Sequence, residues 1–303
     1  MFYEHTFALS PVLPFRLDFT VWTLRRRQKN QIDTWDGVTY TRIFVVNNTA
    51  IQSQVIQINN VLQVKIKSHS PLNDTQAIIA SKLNKMFGLE LHINEFYTLS
   101  KRDIHLQSLA ESFVGVKPPR FPTLFEALLN AISCQQVTLD LGILLLNRLA
   151  ENYGQKFEDA KGIQYAFPNP EDLQHISEEE IKKLGFSYQK ARAIKDLAQT
   201  FLSKDTFFSG LEGMPNEEIV IFLSKLRGIG RWSSEYVLLR GLGRLDVFPG
   251  DDVGAQKNLQ QLLELGKRPS YEGIKQLTAK WQPYAGLVYF HLLLDKLQKK
   301  NLL

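Results

Sequence analysis

The chain has 303 residues, 44% hydrophobic and 22% charged, which is the composition of an ordinary globular protein with length for two or three domains. Lys and Arg total 36 against 31 Asp and Glu, a net charge of +5 that permits a nucleic-acid partner without requiring one. A single cysteine, Cys134, excludes an internal disulfide framework and any cysteine-ligated zinc or iron–sulfur site, and it reads as a small buried apolar residue.

In chain order, residues 1–70 are rich in Thr, Val, Ile, Phe and Tyr. Leu62, Val64 and Ile66 alternate with Gln63, Lys65 and Lys67, the period of a half-buried strand. Asp36-Gly37 and Asn47-Asn48 read as turns between strands. Residues 75–87 have helical spacing. Residues 1–112 are therefore expected to be an α+β domain on an antiparallel sheet, and 113–303 an all-α domain. Lys117-Pro118-Pro119 and Phe121-Pro122 mark the change. Pro122 suits a first helical turn, with Phe125, Leu128, Leu129 and Ile132 as its apolar stripe. A helix from Leu139 to Tyr153 should end at Gly154 as a C-cap. Ser177 to Glu180 is a capping box, and helices are expected over 189–202 and from Asn216 to about Lys225. The basic run Arg25-Arg26-Arg27 reads as solvated, and the segment from Lys296 to Leu303 as a fraying helix end.

Residues 226–237 read Leu-Arg-Gly-Ile-Gly-Arg-Trp-Ser-Ser-Glu-Tyr-Val. A helix ends before Arg227, a tight turn follows, and a helix begins near Trp232. Ile229 can plug the core while Gly228 and Gly230 let backbone approach a ligand. Amides opening the second helix then face an anion such as a phosphate, with Arg231 adding charge. Such a turn grips DNA without reading its sequence. Taken alone, Gly-x-Gly reads first as an ordinary interhelix joint with Gly at the C-cap.

With Leu-Arg-Gly-Leu-Gly-Arg-Leu-Asp-Val-Phe-Pro-Gly-Asp-Asp at 239–252, this segment resembles the helix–hairpin–helix (HhH-GPD) DNA glycosylase superfamily, and within it the 3-methyladenine DNA glycosylase II branch. Phe125-Glu126-Ala127-Leu128, Ile132 to Val137, Lys190 to Ile194 and Trp281 to Tyr284 extend the likeness over roughly residues 118–295. The resemblance implies a mainly helical core of two helical subdomains with the catalytic cleft between them. It also implies a catalytic aspartate at the end of the Gly/Pro-rich loop, which is Asp252. Hydrolysis of an N-glycosidic bond builds positive charge on the sugar, and a fixed carboxylate stabilises it and can orient water. The local sequence alone reads Asp252 equally well as an N-cap. Asp251 stands between a supporting residue and a surface charge.

Lyase-competent relatives carry a lysine at the position of Trp232, and an indole forms no Schiff base. The expected enzyme is monofunctional: water attacks and an abasic site remains. Trp232 and Tyr236 lie four apart on one helix face. In the resembling branch both positions line the pocket for an extruded base, where aromatic faces attract electron-deficient alkylated purines. Leu293 stands where that branch places a further aromatic. Tyr289 or Phe290 is a replacement, and Phe19, Trp22 or Trp35 are candidates to complete the wall. Gln136 matches the wedge that fills the gap left by the flipped base, with Gln135 beside it. Backbone carbonyls of Leu226 and Ile229 hold a monovalent cation in many relatives, and no other cofactor is expected. The expected partner is double-stranded DNA with damaged bases, bound by a monomer. No apolar run reaches the ~20 residues of a membrane span and no secretory signal is visible, so a cytoplasmic, nucleoid-associated location is expected. Excision of oxidised bases such as 8-oxoguanine, and non-catalytic binding of damaged DNA, are the competing readings.

Overall fold

The computed structural model describes residues 2–203, 208 and 210–303. Five antiparallel strands form one sheet in the order β1-β5-β4-β3-β2: β1 (Tyr3–Leu9), β2 (Thr34–Trp35), β3 (Thr39–Val46), β4 (Thr49–Ile58) and β5 (Val61–Ser68). Helix α1 (Leu17–Arg25) is inserted between β1 and β2. Asn47 and Asn48 make the β3–β4 turn with φ of 48° and 57°, left-handed at both positions as a tight hairpin of the correct twist needs. Leu62, Val64 and Ile66 are fully buried, and the register sets Val64 against Val55 and Val55 against Tyr40 on the same face. Helix α2 (Thr75–Phe87) covers that face with Ile79, Leu83, Met86 and Phe87. The opposite face carries a two-stranded ribbon, β6 (Lys156–Asp159) and β7 (Gly162–Tyr165). There Phe157 packs on Ile43, and Gln52 Nε2 donates to Gln164 Oε1 at 2.7 Å.

Helices α3 (Asn94–Ser100) and α4 (Ile104–Ser112) lead into the helical part. Its first half holds α5 (Leu124–Cys134), α6 (Leu139–Tyr153), α7 (Pro170–Leu173), α8 (Glu178–Lys183), α9 (Tyr188–Ser203), α10 (Asn216–Leu223) and α11 (Arg231–Val237). The second half holds α12 (Val253–Leu262), α13 (Tyr271–Thr278) and α14 (Ala285–Gln298). Helix α5 is buried on every side from Phe125 to Ser133, because α6, α9 and α11 all pack on it. This goes beyond the stripe its sequence suggests. Two large apolar clusters result. One joins the sheet to α5, α6, α9 and α11, and the other joins α4 and part of α1 to α12, α13 and α14.

Three local expectations change. Pro122 precedes the cap rather than opening the helix, because the Thr123 side chain accepts the Glu126 N–H and takes the N-cap position. Gly154 does end α6, but with extended backbone (φ −76°, ψ 151°). A Cβ there would lie 1.9 Å from the Ala166 carbonyl oxygen, so the requirement is space, not a left-handed turn. The chain's last helix holds through Gln298, with Leu297 buried and Lys296 turned into a cleft, so it does not fray from Lys296.

Candidate active site

A cleft of about 1050 Å³ opens where the two helical halves meet. Its walls come from five separated stretches: Arg26 and Arg27 after α1, Cys134 to Leu139 between α5 and α6, Gly230 to Tyr236, Asp251 to Asn258, and Tyr289, Leu293 and Lys296 of α14. Cys134 is half-buried at this wall, with Sγ 3.8 Å from an Arg26 nitrogen, so it is not a closed core residue.

The hairpin forms as its sequence suggests. The chain leaves α10 and closes a turn in which the Ile229 N–H donates to the Leu226 carbonyl at 3.1 Å. Ile229 is buried in the core. Gly228 needs to be glycine: its φ is 76°, and a Cβ would lie 2.9 Å from Ala193 Cβ. Gly230 differs, with φ −107° and open space where a Cβ would stand. Helix α11 starts at Arg231 and passes at Leu238–Leu242 into a π-helical turn. Arg231 is not a free cation, since Nε donates to Asp251 Oδ2 at 2.7 Å and the guanidinium lies 3.7 Å over the Tyr271 ring.

Trp232 and Tyr236 share one face, with ring centroids 5.4 Å apart and planes tilted by 30°. Asp252 stands beside them as the N-cap of α12. Its Oδ1 accepts the Ala255 N–H at 2.8 Å, while Oδ2 accepts from Tyr289 OH at 3.1 Å and, at a long 3.4 Å, from Trp232 Nε1. Burial, and then the neighbouring Asp252, push the Tyr289 hydroxyl well above its usual range, so it stays a donor. Tyr289 thus brings an aromatic ring to the cleft wall that Leu293 also lines. Phe290 is buried elsewhere in the core.

Gln135 and Gln136 lie on the turn after α5. Gln135 Nε2 donates to the Gly228 carbonyl at 2.6 Å and also reaches Ser233 Oγ, so it ties this turn to the hairpin. Lys190 Nζ caps the carbonyls of Ser133 and Gln135 at 2.9 and 2.7 Å. Gln136 is exposed at the rim with a left-handed φ of 52°.

The N-terminal contribution differs from expectation. Phe19, Trp22 and Trp35 do not line the cleft: Phe19 packs on Phe113, Trp22 lies in the second apolar cluster, and Trp35 is packed between the clusters. Arginines come in their place, and the basic run is not solvated. Arg25 is 3% exposed and Arg26 4%. Arg25 donates to the carbonyls of Trp35 and Gln28. Arg26 donates to Tyr236 OH at 2.8 Å and to Asn130 Oδ1 at 2.6 Å, which turns it inward. Behind Tyr236, Arg240 is fully buried among the rings of Phe121, Tyr236 and Phe290, and donates to the carbonyls of Thr23 and Leu24 at the end of α1. A helix C-terminus is partially negative and suits that cation. Arg240 was visible only as a letter in Leu-Arg-Gly; burial of a charge needs the partner helix.

Among the described residues no group of three or more His, Cys, Asp or Glu is placed to hold a metal ion, and no helix is long and apolar enough to cross a membrane.

Comparison with known proteins gives the family of the chain. Residues 129–283, just over half of the chain, match the HhH-GPD superfamily of base excision DNA repair proteins, and the chain belongs to that superfamily. The DNA-3-methyladenine glycosylase of Bacillus subtilis (strain 168) is 26% identical over 259 residues, covering 83% of this chain and 84% of the relative. The solved 3-methyladenine DNA-glycosylase from Archaeoglobus fulgidus superposes with a TM-score of 0.82 at 23% identity, over 95% of this chain and 97% of that one. The Clostridium acetobutylicum 8-oxoguanine glycosylase/lyase, in complex with double-stranded DNA, superposes with a TM-score of 0.76 at 17% identity, over 99% and 98%. At those identities the two structures share the fold.

Proposed function

We infer that the protein is a monofunctional DNA glycosylase that removes alkylated purines, with deaminated purines as a second class to test, leaving an abasic site. The observation that carries this reading is Asp252, whose Oδ2 lies at the cleft wall beside Trp232, Tyr236 and Tyr289. A base swung out of the duplex stacks on Trp232 and Tyr236, which places its sugar near the carboxylate. As the N-glycosidic bond breaks, the ionised carboxylate stabilises the charge on the sugar and orients the attacking water. Capping α12 holds that carboxylate in place. The relative's name, a 3-methyladenine glycosylase, supports alkylated purines as the main class.

In this reading residues 113–303 are the catalytic unit, and the domain of residues 1–112 closes one side of the cleft through Arg26 and Arg27. Phosphates of double-stranded DNA lie on the hairpin amides, with Gly230 giving the backbone room to approach. Gln136 enters the gap left by the base, and a monomer with a nucleoid location suffices for the reaction. A monovalent cation at the Leu226 and Ile229 carbonyls would brace the turn. The Leu226 carbonyl already accepts one hydrogen bond, and its second lone pair is the one such an ion would use.

The test is a panel of duplexes, each holding one alkylated, deaminated or oxidised base. Release of alkylated purines is expected, and a panel in which no alkylated or deaminated purine is released would overturn the reading. Asp252→Asn is expected to lower excision by about 10²- to 10⁴-fold, with DNA affinity nearly unchanged. An active variant removes Asp252 from the reaction.

A further inference from the structure

Helix α11 holds three successive residues of the aspartate loop, each by a different side chain. Glu235 Oε2 accepts the Gly250 N–H at 3.0 Å, Arg231 reaches Asp251, and the Trp232 indole N–H points at Asp252. The Arg231–Asp251 pair is largely open to solvent, and the indole contact is long. The Glu235 contact has ordinary hydrogen-bond length and is buried.

We propose that Glu235 is the positioning residue of the catalytic loop, fixing Gly250 so that Asp252, two residues on, presents its carboxylate to the sugar. This rests on Asp252 being the reacting carboxylate.

Gly250 is held on every side. Its N–H goes to Glu235, and its carbonyl accepts from Gln256 Nε2 at 2.8 Å. A Cβ at this position would lie 2.7 Å from the Tyr271 ring. Glu235 is itself fixed, since Oε1 accepts from Tyr271 OH at 2.6 Å. Past Gly250 the chain has little freedom: the Asp252 N–H donates to the Pro249 carbonyl at 3.1 Å, closing a turn around Gly250 and Asp251. The helix that carries Trp232 and Tyr236 therefore also sets the carboxylate, so the spacing between base pocket and sugar chemistry is held by one rigid element. Displacement of a reacting group by about 1 Å costs on the order of 10²-fold in rate, so a support of this kind is worth a measurable factor.

Replacement with Gln keeps the arrangement, because the amide oxygen accepts from Gly250 and the amide nitrogen donates to the tyrosine oxygen. Alanine removes both contacts. Single-turnover release of bases from dimethyl-sulfate-methylated duplex DNA, and the Kd for a duplex with a tetrahydrofuran abasic analogue, separate chemistry from binding. Glu235→Ala is expected to lower the single-turnover rate by about 10- to 100-fold with Kd within about threefold, and Glu235→Gln to restore the rate to within about threefold. A Glu235→Ala rate within twofold of the unaltered enzyme, an equal loss in Kd, or a Gln variant as slow as Ala would overturn the proposal. Tyr271→Phe, which leaves Glu235 in place but frees one end of it, carries the test if Glu235→Ala does not fold. A loss of about 3- to 10-fold in rate alone is expected, and no loss overturns the proposal. Asp252→Asn is run beside them. If it stays active, the reading of the site fails; if it is inactive while Glu235→Ala is fully active, only the positioning role fails.

Discussion

Lys117 is fully buried, its ammonium donating to the Leu91 carbonyl. Burial disfavours the charged form and pushes its pKa down to about 8 from 10.5. The unfolded chain therefore binds more protons than the folded one between about pH 8 and 10.5, and this lysine makes stability rise with pH across that window. Denaturant titrations at several pH values should show that rise in the unaltered chain and lose it in Lys117→Met. Parallel profiles for the two would refute the assignment. At Asp252, the N-cap reading is present in the geometry, since one oxygen caps α12, and the other oxygen is left to accept from Tyr289 at the cleft. At Arg25 and Arg26, the charge was legible but the burial was not. A basic run shows no local mark of a partner, and the partners of Arg26 are Asn130 and Tyr236, 104 and 210 residues away.

Between elements, the join of the sheet to the helical core is a buried ion pair. Arg42 on β3 reaches Glu126 on α5 at 2.5 Å and Asp33 at 2.7 Å, and Tyr40 OH donates to Asp33. Glu126 sits in the motif Phe-Glu-Ala-Leu, where helical spacing would place it on a solvated face. It is buried because Arg42 of β3 reaches it and the neighbouring helices close over α5. Burial, the largest influence, raises its pKa, and Arg42 opposes the rise. Glu126→Ala leaves Arg42 with Asp33 alone and is expected to cost about 3–5 kcal/mol in chemical denaturation. A loss under about 1 kcal/mol would mean that water or Asp33 compensates. The helices at 75–87 and 139–153 were readable from sequence because caps and apolar periodicity are local. The reason for Gly154 was not, since the clashing carbonyl belongs to Ala166 beyond the β6–β7 ribbon.

At the scale of the whole molecule, the cleft exists only because five stretches of chain, from Arg26 to Lys296, converge. Its chemistry is set by what stands at each wall. Trp232, where lyase-competent relatives carry lysine, offers no amine for attack at the sugar carbon. Borohydride added during turnover should therefore trap no covalent protein–DNA adduct, and strand breaks should appear only after alkali treatment of the product. A trapped adduct would return the oxidised-base reading with its lyase step.

The sequence by itself determined the hairpin, the aspartate at the end of its loop, the exclusion of a cysteine-bound cluster and the antiparallel sheet. Each depends on residue types at short, fixed spacing. Only the tertiary structure decided which residues line the cleft and what touches its aspartate loop: Arg26 rather than an N-terminal aromatic, Tyr289 beside Leu293, and Glu235 beneath Gly250. Those choices depend on where helices meet, and contacts between distant segments leave no periodic trace in the chain.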